Sequence, residues 1–244
     1  MDGLPVDEIR QRYARVAEQI GSAAHSDGRQ PDAVRLVVVT KTHPLDTIRA
    51  AITAGVRDLG ENYLDEAVPK MEALGRVDGL RWHMIGHVQS RKAELVAAGH
   101  FNMLHSLDSF KLAGRLDRFA GEARRRLPVL LEVNVSGEES KFGYPAWSER
   151  HWEALRPEIE RLGSLSNLEI RGLMSMPPLA DEPERSRPYF RRMRSLQAYL
   201  ANHFPQIVWK ELSMGTSTDF VIAVEEGATL VRIGTAILGP RPAR

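Results

Sequence analysis

A lysine follows a run of apolar, β-forming residues near the start of the chain. The run is Arg35-Leu-Val-Val-Val-Thr-Lys41, so Lys41 stands where a buried strand is expected to end. Partial burial at such a place lowers the pKa of an amine, because the charged form loses solvation. A lysine of this kind can attack an aldehyde and form a Schiff base. The alternative is a lysine that simply ends the strand and extends into water.

Small and hydroxyl-bearing residues follow the last two strands that the sequence predicts. Ser213, Gly215 and Thr216 come after the seventh strand, and Gly234 and Thr235 come after the eighth. In α/β barrels this corner commonly holds phosphate, through backbone N–H groups at glycines and at a helix N-terminus. Either cluster alone also fits an ordinary turn. Two such clusters on adjacent strands favour a phosphate site.

An arginine interrupts the otherwise apolar eighth strand, Leu230-Val-Arg-Ile-Gly234. A guanidinium inside a barrel needs an acceptor, because burying it without one is costly. Glu132 or Glu211 on a neighbouring strand could form a structural ion pair with Arg232. The other interpretation is a donor that faces a bound ligand.

The spacing of apolar residues predicts the fold that must bring these groups together. An amphipathic helix carries its apolar face at Val6, Ile9, Tyr13, Val16 and Ile20, and the glycine and polar run after it are expected to end it. Eight predicted strands alternate with helical segments, at about residues 35–40, 56–59, 81–85, 102–105, 129–135, 168–173, 207–212 and 229–233. This alternation indicates an α/β protein with a (β/α)8 TIM barrel, and a doubly wound open sheet is the alternative.

We expect one domain over residues 1–244, a normal length for such a barrel. Residues 1–30 form an extra N-terminal helix and linker, and residues 35–239 form the barrel. Little chain remains after the eighth strand for a final covering helix. The N-terminal helix is therefore expected to cover part of the barrel in its place.

The composition is that of a globular protein, with 43% hydrophobic and 27% charged residues. A net charge of +1 gives no field suited to nucleic acid or to an anionic membrane. The absence of cysteine excludes disulfides and thiolate metal sites. His83 and His87 lack the acidic residue of a zinc-protease motif, so no metal site is predicted. Without a signal peptide or a membrane-spanning window, we expect a cytoplasmic protein, and the arginine-rich helix faces favour a monomer.

In a barrel, the residues after each strand face the same mouth. The mouth would hold Lys41 at one side, the phosphate corner across from it, and Arg232 between them. This set suits an aldehyde that carries a phosphate, of which pyridoxal 5′-phosphate (PLP) is the obvious example.

Motifs along nearly the whole chain resemble those of the YggS/PROSC family of pyridoxal phosphate homeostasis proteins. In order they are Val39-Thr-Lys-Thr42, Gly60-Glu-Asn-Tyr63, Trp82-His-Met-Ile-Gly86, Val133-Asn-Val-Ser136, Ser140-Lys-Phe-Gly143, Arg171-Gly-Leu-Met174, Leu212-Ser-Met-Gly215 and Val231-Arg-Ile-Gly-Thr-Ala-Ile237. The resemblance implies a single barrel related to the N-terminal domain of alanine racemase. The sequence departs from the family pattern at Thr40, at Arg91 and over residues 216–219.

The resemblance also implies roles for individual residues. Lys41 corresponds to the lysine that forms the internal aldimine with PLP. Arg232 corresponds to the arginine that faces the pyridine nitrogen, and Asn62 lies in the motif near the face of the cofactor. The positions that hold the phosphate correspond to Ser213, Gly234 and Thr235.

An arginine beside the pyridine nitrogen leaves the ring neutral and a weaker electron sink. Racemases of this class add a tyrosine base from a second, β-rich domain, which the chain to Arg244 is expected to lack. We therefore predict a protein that holds PLP in intracellular PLP (vitamin B6) homeostasis without robust catalysis, with PLP-dependent client enzymes as candidate recipients. One alternative is a PLP-dependent amino-acid racemase or related fold type III enzyme, with His87 or Tyr63 as its base. Another is a cofactor-free aldolase that uses Lys41.

Overall fold

The computed structural model describes residues 4–178 and 181–241, in which eight parallel strands form a closed barrel. The strands are β1 Arg35–Val39, β2 Asp58–Glu61, β3 Arg81–Met84, β4 Met103–Leu107, β5 Leu127–Asn134, β6 Leu168–Met174, β7 Glu211–Ser213 and β8 Leu230–Ile233. Each strand pairs with the next in parallel, and β8 pairs with β1. A two-residue strand, Tyr144–Pro145, adds to β5. The predicted (β/α)8 barrel is confirmed, and the open sheet is wrong.

Helices cover the outside of this barrel. They are α1 Val6–Ser26, α2 Leu45–Thr53, α3 Leu64–Leu74, α4 Ala93–Ala97, α5 Phe110–Glu122, α6 Glu149–Gly163, α7 Arg187–His203, α8 Phe220–Glu225 and α9 Thr235–Leu238. Short 3-10 turns lie at Pro31–Ala33, Ser90–Lys92 and Pro183–Ser186. Because α1 packs against α2, α8 and α9, it covers the side of the barrel that the short final segment leaves open, as predicted.

Some element boundaries differ from those predicted. The first helix continues through Gly21 to Ser26, because two alanines beyond the glycine extend its buried face. The second strand begins at Asp58, later than predicted. The seventh begins only at Glu211, because the preceding Trp209 is buried in a loop, where its Nε1 donates to the backbone at the end of α7.

Side chains along each strand alternate between the barrel interior and the layer beneath the helices. On β8, Val231 and Ile233 belong to the large apolar core between strands and helices, whereas Leu230 belongs to a small cluster inside the barrel. The alternation therefore places Arg232 in the interior together with Leu230. The same rule places the histidines of β3 and β4 inside the barrel.

Two further expectations concern the chain as a whole. No helix in the described ranges combines the length and the apolar character that a bilayer crossing needs. A single domain over residues 1–244 stays a prediction, and residues 1–3 and 242–244 lie outside the described residues.

Candidate functional site

A cavity of about 490 Å³ opens where the barrel strands end, and its size is typical of small-molecule sites. Predicted site residues from three strand ends line it, namely Lys41, Asn62, Arg232, Gly234 and Thr235. Loop residues 140–142 after β5 and 216–218 after β7 complete much of the wall. Residues that follow different strands, far apart in the sequence, thus meet at one mouth of the barrel, as predicted.

Lys41 lies just beyond the end of β1, half-buried in the cavity wall. Burial lowers the pKa of its amine, and the charges of Arg241 and Arg232 lower it further, while Glu61 and Glu66 act in the opposite direction. No hydrogen bond within the described residues contributes to this shift. The amine is therefore available to a ligand, and its pKa is displaced in the direction that a nucleophilic lysine requires.

The backbone turns sharply immediately after Lys41. Thr42 has a φ of 64°, a left-handed conformation that β-branched residues rarely adopt. Its N–H donates to Glu66 Oε2 on α3 at 2.8 Å, which anchors the turn. Such a conformation costs about 1–3 kcal/mol and persists only where surrounding contacts impose it. The anchored turn fixes the direction in which Lys41 leaves the strand.

Asn62 reaches the cavity because a glycine lets its backbone approach. A Cβ on Gly86 would lie only 2.3 Å from Asn62 O, so no larger residue fits there without moving the loop. Ser106, which lies within β4, supports this glycine by donating to Gly86 O at 2.6 Å. Asn62 Oδ1 is buried and has no hydrogen-bond partner among the described residues. An unpaired buried acceptor is costly, so it marks a place where a ligand can donate.

Arg232 contributes to the cavity wall from the barrel interior. Its Nη1 donates to Ser213 Oγ at 2.6 Å, and its Nη2 donates to Ser175 O and to Met176 Sδ, each at 2.9 Å. Ser213 itself is fully buried and is not one of the described residues that line the cavity. Its role at a phosphate stays a prediction, whereas its contact with Arg232 is direct.

Within the described residues, no carboxylate forms an ion pair with Arg232. The structural ion pair with Glu132 or Glu211 is therefore wrong, and Glu211 instead accepts from Thr229 Oγ1 at 2.5 Å. Burial lowers the pKa of Arg232 to about 10, while the charges of Glu132 and Asp219 act in the opposite direction. The guanidinium stays protonated at neutral pH, so this part of the wall carries a positive charge.

The corner after β7 and β8 has the small residues that the sequence predicts. Gly234 and Thr235 line the cavity together with residues 216–218. Gly215 has a φ of 91°, and a Cβ there would lie 2.6 Å from a side chain of α8, so the turn requires glycine. Asp219 Oδ1 accepts from the first backbone N–H of the 216–218 loop at 2.7 Å, which orders that loop. The binding of phosphate here stays a prediction.

Sequence reasoning did not place Glu132 in this site. The residue is buried and lines the cavity; burial raises its pKa to about 7, with Asp108 adding to the shift and Arg232 opposing it. His87 lines the cavity too, with its Nδ1 2.8 Å from Asp108 Oδ2 and its ring stacked on Phe142 at a centroid distance of 4.4 Å. A charged residue inside the apolar β5 was the available signal for Glu132.

Comparison with known proteins gives a consistent family. The sequence matches the family model "Alanine racemase, N-terminal domain" over residues 8–242. A pyridoxal phosphate homeostasis protein of Pseudomonas aeruginosa is 42% identical over 233 residues, which cover 96% of each chain. Another, from Aquifex aeolicus, is 39% identical over 231 residues, which cover 95% of this chain and 97% of the other.

A solved structure agrees with these sequence matches. PipY of Synechococcus elongatus, determined with PLP bound, shares 37% identity and superposes with a TM-score of 0.83, covering 95% of this chain and 100% of PipY. The chain therefore belongs to the pyridoxal phosphate homeostasis protein family and carries the alanine racemase N-terminal domain.

Proposed function

We propose that this protein binds PLP in the cavity, with Lys41 as the point of covalent attachment, and serves PLP homeostasis without robust turnover of amino acids. One observation carries the proposal. The half-buried amine of Lys41 shares a single cavity with Arg232, Gly234 and Thr235. The PLP bound to PipY and the names of the homeostasis relatives support the same ligand.

The groups present in the cavity fit PLP. Positive side chains outnumber negative ones in the wall, because Lys41, Lys141, Arg232 and Arg241 are set against Glu132. Such an excess suits a phosphate, which charged donors bind strongly. The buried Asn62 Oδ1 has no partner in the described chain, as expected of a group that contacts a ligand.

Each of these groups has a part in holding PLP. When bound, PLP supplies an aldehyde carbon that forms a C=N bond with an amine as water leaves, together with an electron-accepting ring. Lys41 would provide the amine, and its lowered pKa increases the neutral fraction at a given pH. Gly234 and Thr235 would hold the phosphate, with Asn62 near the ring. Arg232 would face the ring nitrogen, where it can donate a hydrogen bond but accept none.

Absorption spectroscopy of the purified protein with added PLP tests this proposal. Covalent attachment should produce a near-visible band that Lys41→Ala removes and that Lys111→Ala, which changes an exposed lysine of α5, retains. Borohydride reduction and peptide mass spectrometry should then find the modification on Lys41. A protein that has no near-visible band after unbound PLP is removed contradicts the proposal and favours the cofactor-free aldolase. Label on another lysine while Lys41 is unmodified also contradicts the proposal.

Amino-acid racemisation is the second candidate function, and one observation favours it. His87 lines the cavity, and its contact with Asp108 orients the imidazole as a general base requires. Tyr63, the other candidate base, is 44% exposed and is not among the described residues of the cavity wall. We expect little or no D-isomer or ammonia from L-amino acids. Robust turnover that requires Lys41 and decreases in His87→Asn would show that the protein is a racemase and not a PLP carrier.

We further propose that the protein works as a cytoplasmic monomer and passes PLP to PLP-dependent enzymes. The cysteine-free composition supports a reducing compartment. Phe142 and Met176 are 57% and 44% exposed beside the cavity and give a protein recipient an apolar rim to contact. Light scattering tests the monomer. Direct transfer is tested by comparing two rates: the rate at which the PLP-loaded protein reactivates an apo-enzyme, and the rate at which it releases PLP to a small-molecule trap. Direct transfer predicts that reactivation is the faster of the two, and equal rates contradict it.

A further inference from the structure

A chain of buried polar side chains crosses the barrel interior from Arg232. Arg232 Nη1 lies 2.6 Å from Ser213 Oγ, which lies 2.8 Å from His105 Nδ1. His105 Nε2 is 3.0 Å from His83 Nδ1, and His83 Nε2 is 2.9 Å from Asp58 Oδ1. All of these side chains are buried. The chain connects the cavity wall on β8 with the start of β2, through β7, β4 and β3.

Arginines fix Asp58 at the far end of this chain. Arg81 donates from Nε to Oδ1 at 2.7 Å and from Nη2 to Oδ2 at 2.6 Å, a bidentate arrangement. Arg35 Nε lies 3.9 Å from Oδ1. Although burial raises the pKa of Asp58, the hydrogen bonds from Arg81 and His83 lower it to about 2. Asp58 is therefore a carboxylate, which can only accept.

The two ends determine the direction of every hydrogen bond between them. A guanidinium only donates, so Ser213 Oγ accepts from Arg232 and its own O–H is left for His105 Nδ1. His105 then carries its proton on Nε2 and donates to His83 Nδ1. His83 in turn donates from Nε2 to Asp58. The opposite direction would set two acceptors, His83 Nε2 and the Asp58 carboxylate, against each other.

Burial keeps both imidazoles of this chain neutral. It lowers the pKa of His83, although the hydrogen bond and charge of Asp58 oppose the shift. Burial also lowers the pKa of His105 well below the ordinary value, and the permanent charges of Arg232 and Arg35 act in the same direction, as a proton on His83 would. Each neutral ring accepts one hydrogen bond and donates the next, and it adds no positive charge near Arg232.

We infer that Ser213, His105, His83 and Asp58 form a buried relay that positions the Arg232 guanidinium toward the ligand. In the described part of the chain, the protein acceptors of Arg232 leave one N–H on Nη1 and the N–H on Nε for a ligand. The relay also links this buried cation to a carboxylate, since no carboxylate of the described chain pairs with it directly. The role toward PLP rests on the proposed function, whereas the direction of the relay does not.

The direction of the relay can be tested on protein without PLP. Long-range ¹H–¹⁵N spectra near pH 7 report which ring nitrogen carries the proton, and the exposed His25 serves as the reference in water. We expect His83 and His105 to be neutral with the proton on Nε2. A proton on Nδ1 of either ring, or a charged ring, overturns the inference.

The positioning role can be tested by changing the middle of the relay. His105→Leu removes both ring nitrogens, whereas His105→Gln retains one acceptor and one donor. We expect the Kd for PLP to rise about tenfold in His105→Leu and to stay within about threefold of wild type in His105→Gln. The absorption maximum of bound PLP should move only in the leucine variant, an effect that a loss of stability alone does not produce.

A matched control separates positioning from general destabilisation. Thr229→Ala, just before β8, removes the hydrogen bonds of Thr229 Oγ1 with Glu211 and with the N–H of Leu212 but changes no side chain of the relay, and it should bind PLP as wild type does. Unchanged affinity and spectrum in His105→Leu overturn the positioning role. If that variant does not fold, His105→Asn, too short to reach both neighbours, replaces it. If wild-type protein fails to bind PLP, the proposed function is wrong, and the ring-proton spectra still decide the relay.

Discussion

Two lysines at the same end of the barrel are in opposite situations. Lys41 faces the cavity, and no hydrogen bond within the described residues shifts its pKa. Lys70 on α3 is almost buried and donates to Glu61 Oε1 at 2.7 Å and to Thr40 O at 3.0 Å, which belongs to the residue before Lys41. The charge of Lys70 is thus engaged in the structure, whereas the amine of Lys41 is left for a ligand.

The face of the strand explains the difference. Glu61 is fully buried between β2 and α3, where burial raises its pKa and Lys70 lowers it. A carboxylate in that position needs a cation, and α3 brings Lys70 to it. On the cavity side, Lys41 has burial and two arginines as its main influences instead. The contact with Glu61 therefore makes Lys70 a structural cation, whereas half-buried Lys41 keeps an amine that a ligand can reach.

The largest expected effect comes from removing each lysine in turn and measuring covalent PLP. Lys41→Met should lose the near-visible band completely, because Lys70 is held by Glu61 and cannot replace the missing amine. Lys70→Met should keep the band. Borohydride labelling of the Lys41→Met variant is the decisive control: modified Lys70 in its digest would show that the two lysines are interchangeable.

For the free energy of unfolding we expect the opposite order, with the larger effect from Lys70 and the smaller from Lys41. Lys70→Met leaves Glu61 buried without its cation and should cost about 3 kcal/mol in urea unfolding. Lys41→Met should change stability by less than about 1 kcal/mol, since it breaks no ion pair within the described residues. The double variant Lys70→Met/Glu61→Gln should recover most of the loss, because no unpaired charge remains. Equal losses in the two single variants would contradict this account.

The barrel itself was predictable because its signals are local. Each apolar run and each helical period lies within a short window, and eight alternations leave few possible folds. Lys41 and Arg232 were predictable as candidates for the same reason: each is a charged residue at a place where an apolar strand ends or continues. The closing of the barrel then brought both to one cavity.

The contact partners of Lys41 and Arg232 were not predictable, because they depend on how the strands are aligned across the barrel. Ser213 and His105 are 108 positions apart in sequence and 2.8 Å apart in the structure. The sequence shows a polar residue inside a strand but not which side chain faces it across the interior. The ion pair proposed for Arg232 was wrong for that reason. The sequence raised His83 only as a possible metal ligand and gave no sign of its contact with Asp58.

Two glutamates extend the comparison from lysines to carboxylates. Glu61 has Lys70 as its partner, whereas burial raises the pKa of Glu132 to about 7 in the cavity wall. Its ordinary value is 4.5, so between these pH values the unfolded chain has lost the proton that the folded protein keeps. Stability then falls as pH rises through this window and stays lower above it.

Glu132→Gln removes this titration without changing the shape of the side chain. It should be more stable than wild type by about 2–3 kcal/mol near pH 8 and nearly equal to it near pH 4. Glu138→Gln, which changes an exposed residue of the next loop, should leave the pH dependence as it is. Urea unfolding at both pH values measures the difference. An equal gain at both would mean that folding does not change the pKa of Glu132.

The smallest expected effect concerns Arg241, whose charge lowers the pKa of Lys41 from the exposed edge of the cavity. Arg241→Gln should raise that pKa and so move the pH midpoint of covalent PLP attachment upward. Raising salt from about 0.02 to about 0.5 M should move the wild-type midpoint in the same direction by screening, and should act less on the variant. If the midpoint changes neither in the variant nor with salt, the lowered pKa of Lys41 is due to burial and Arg232. The contrast between the two lysines would then depend on buried groups alone.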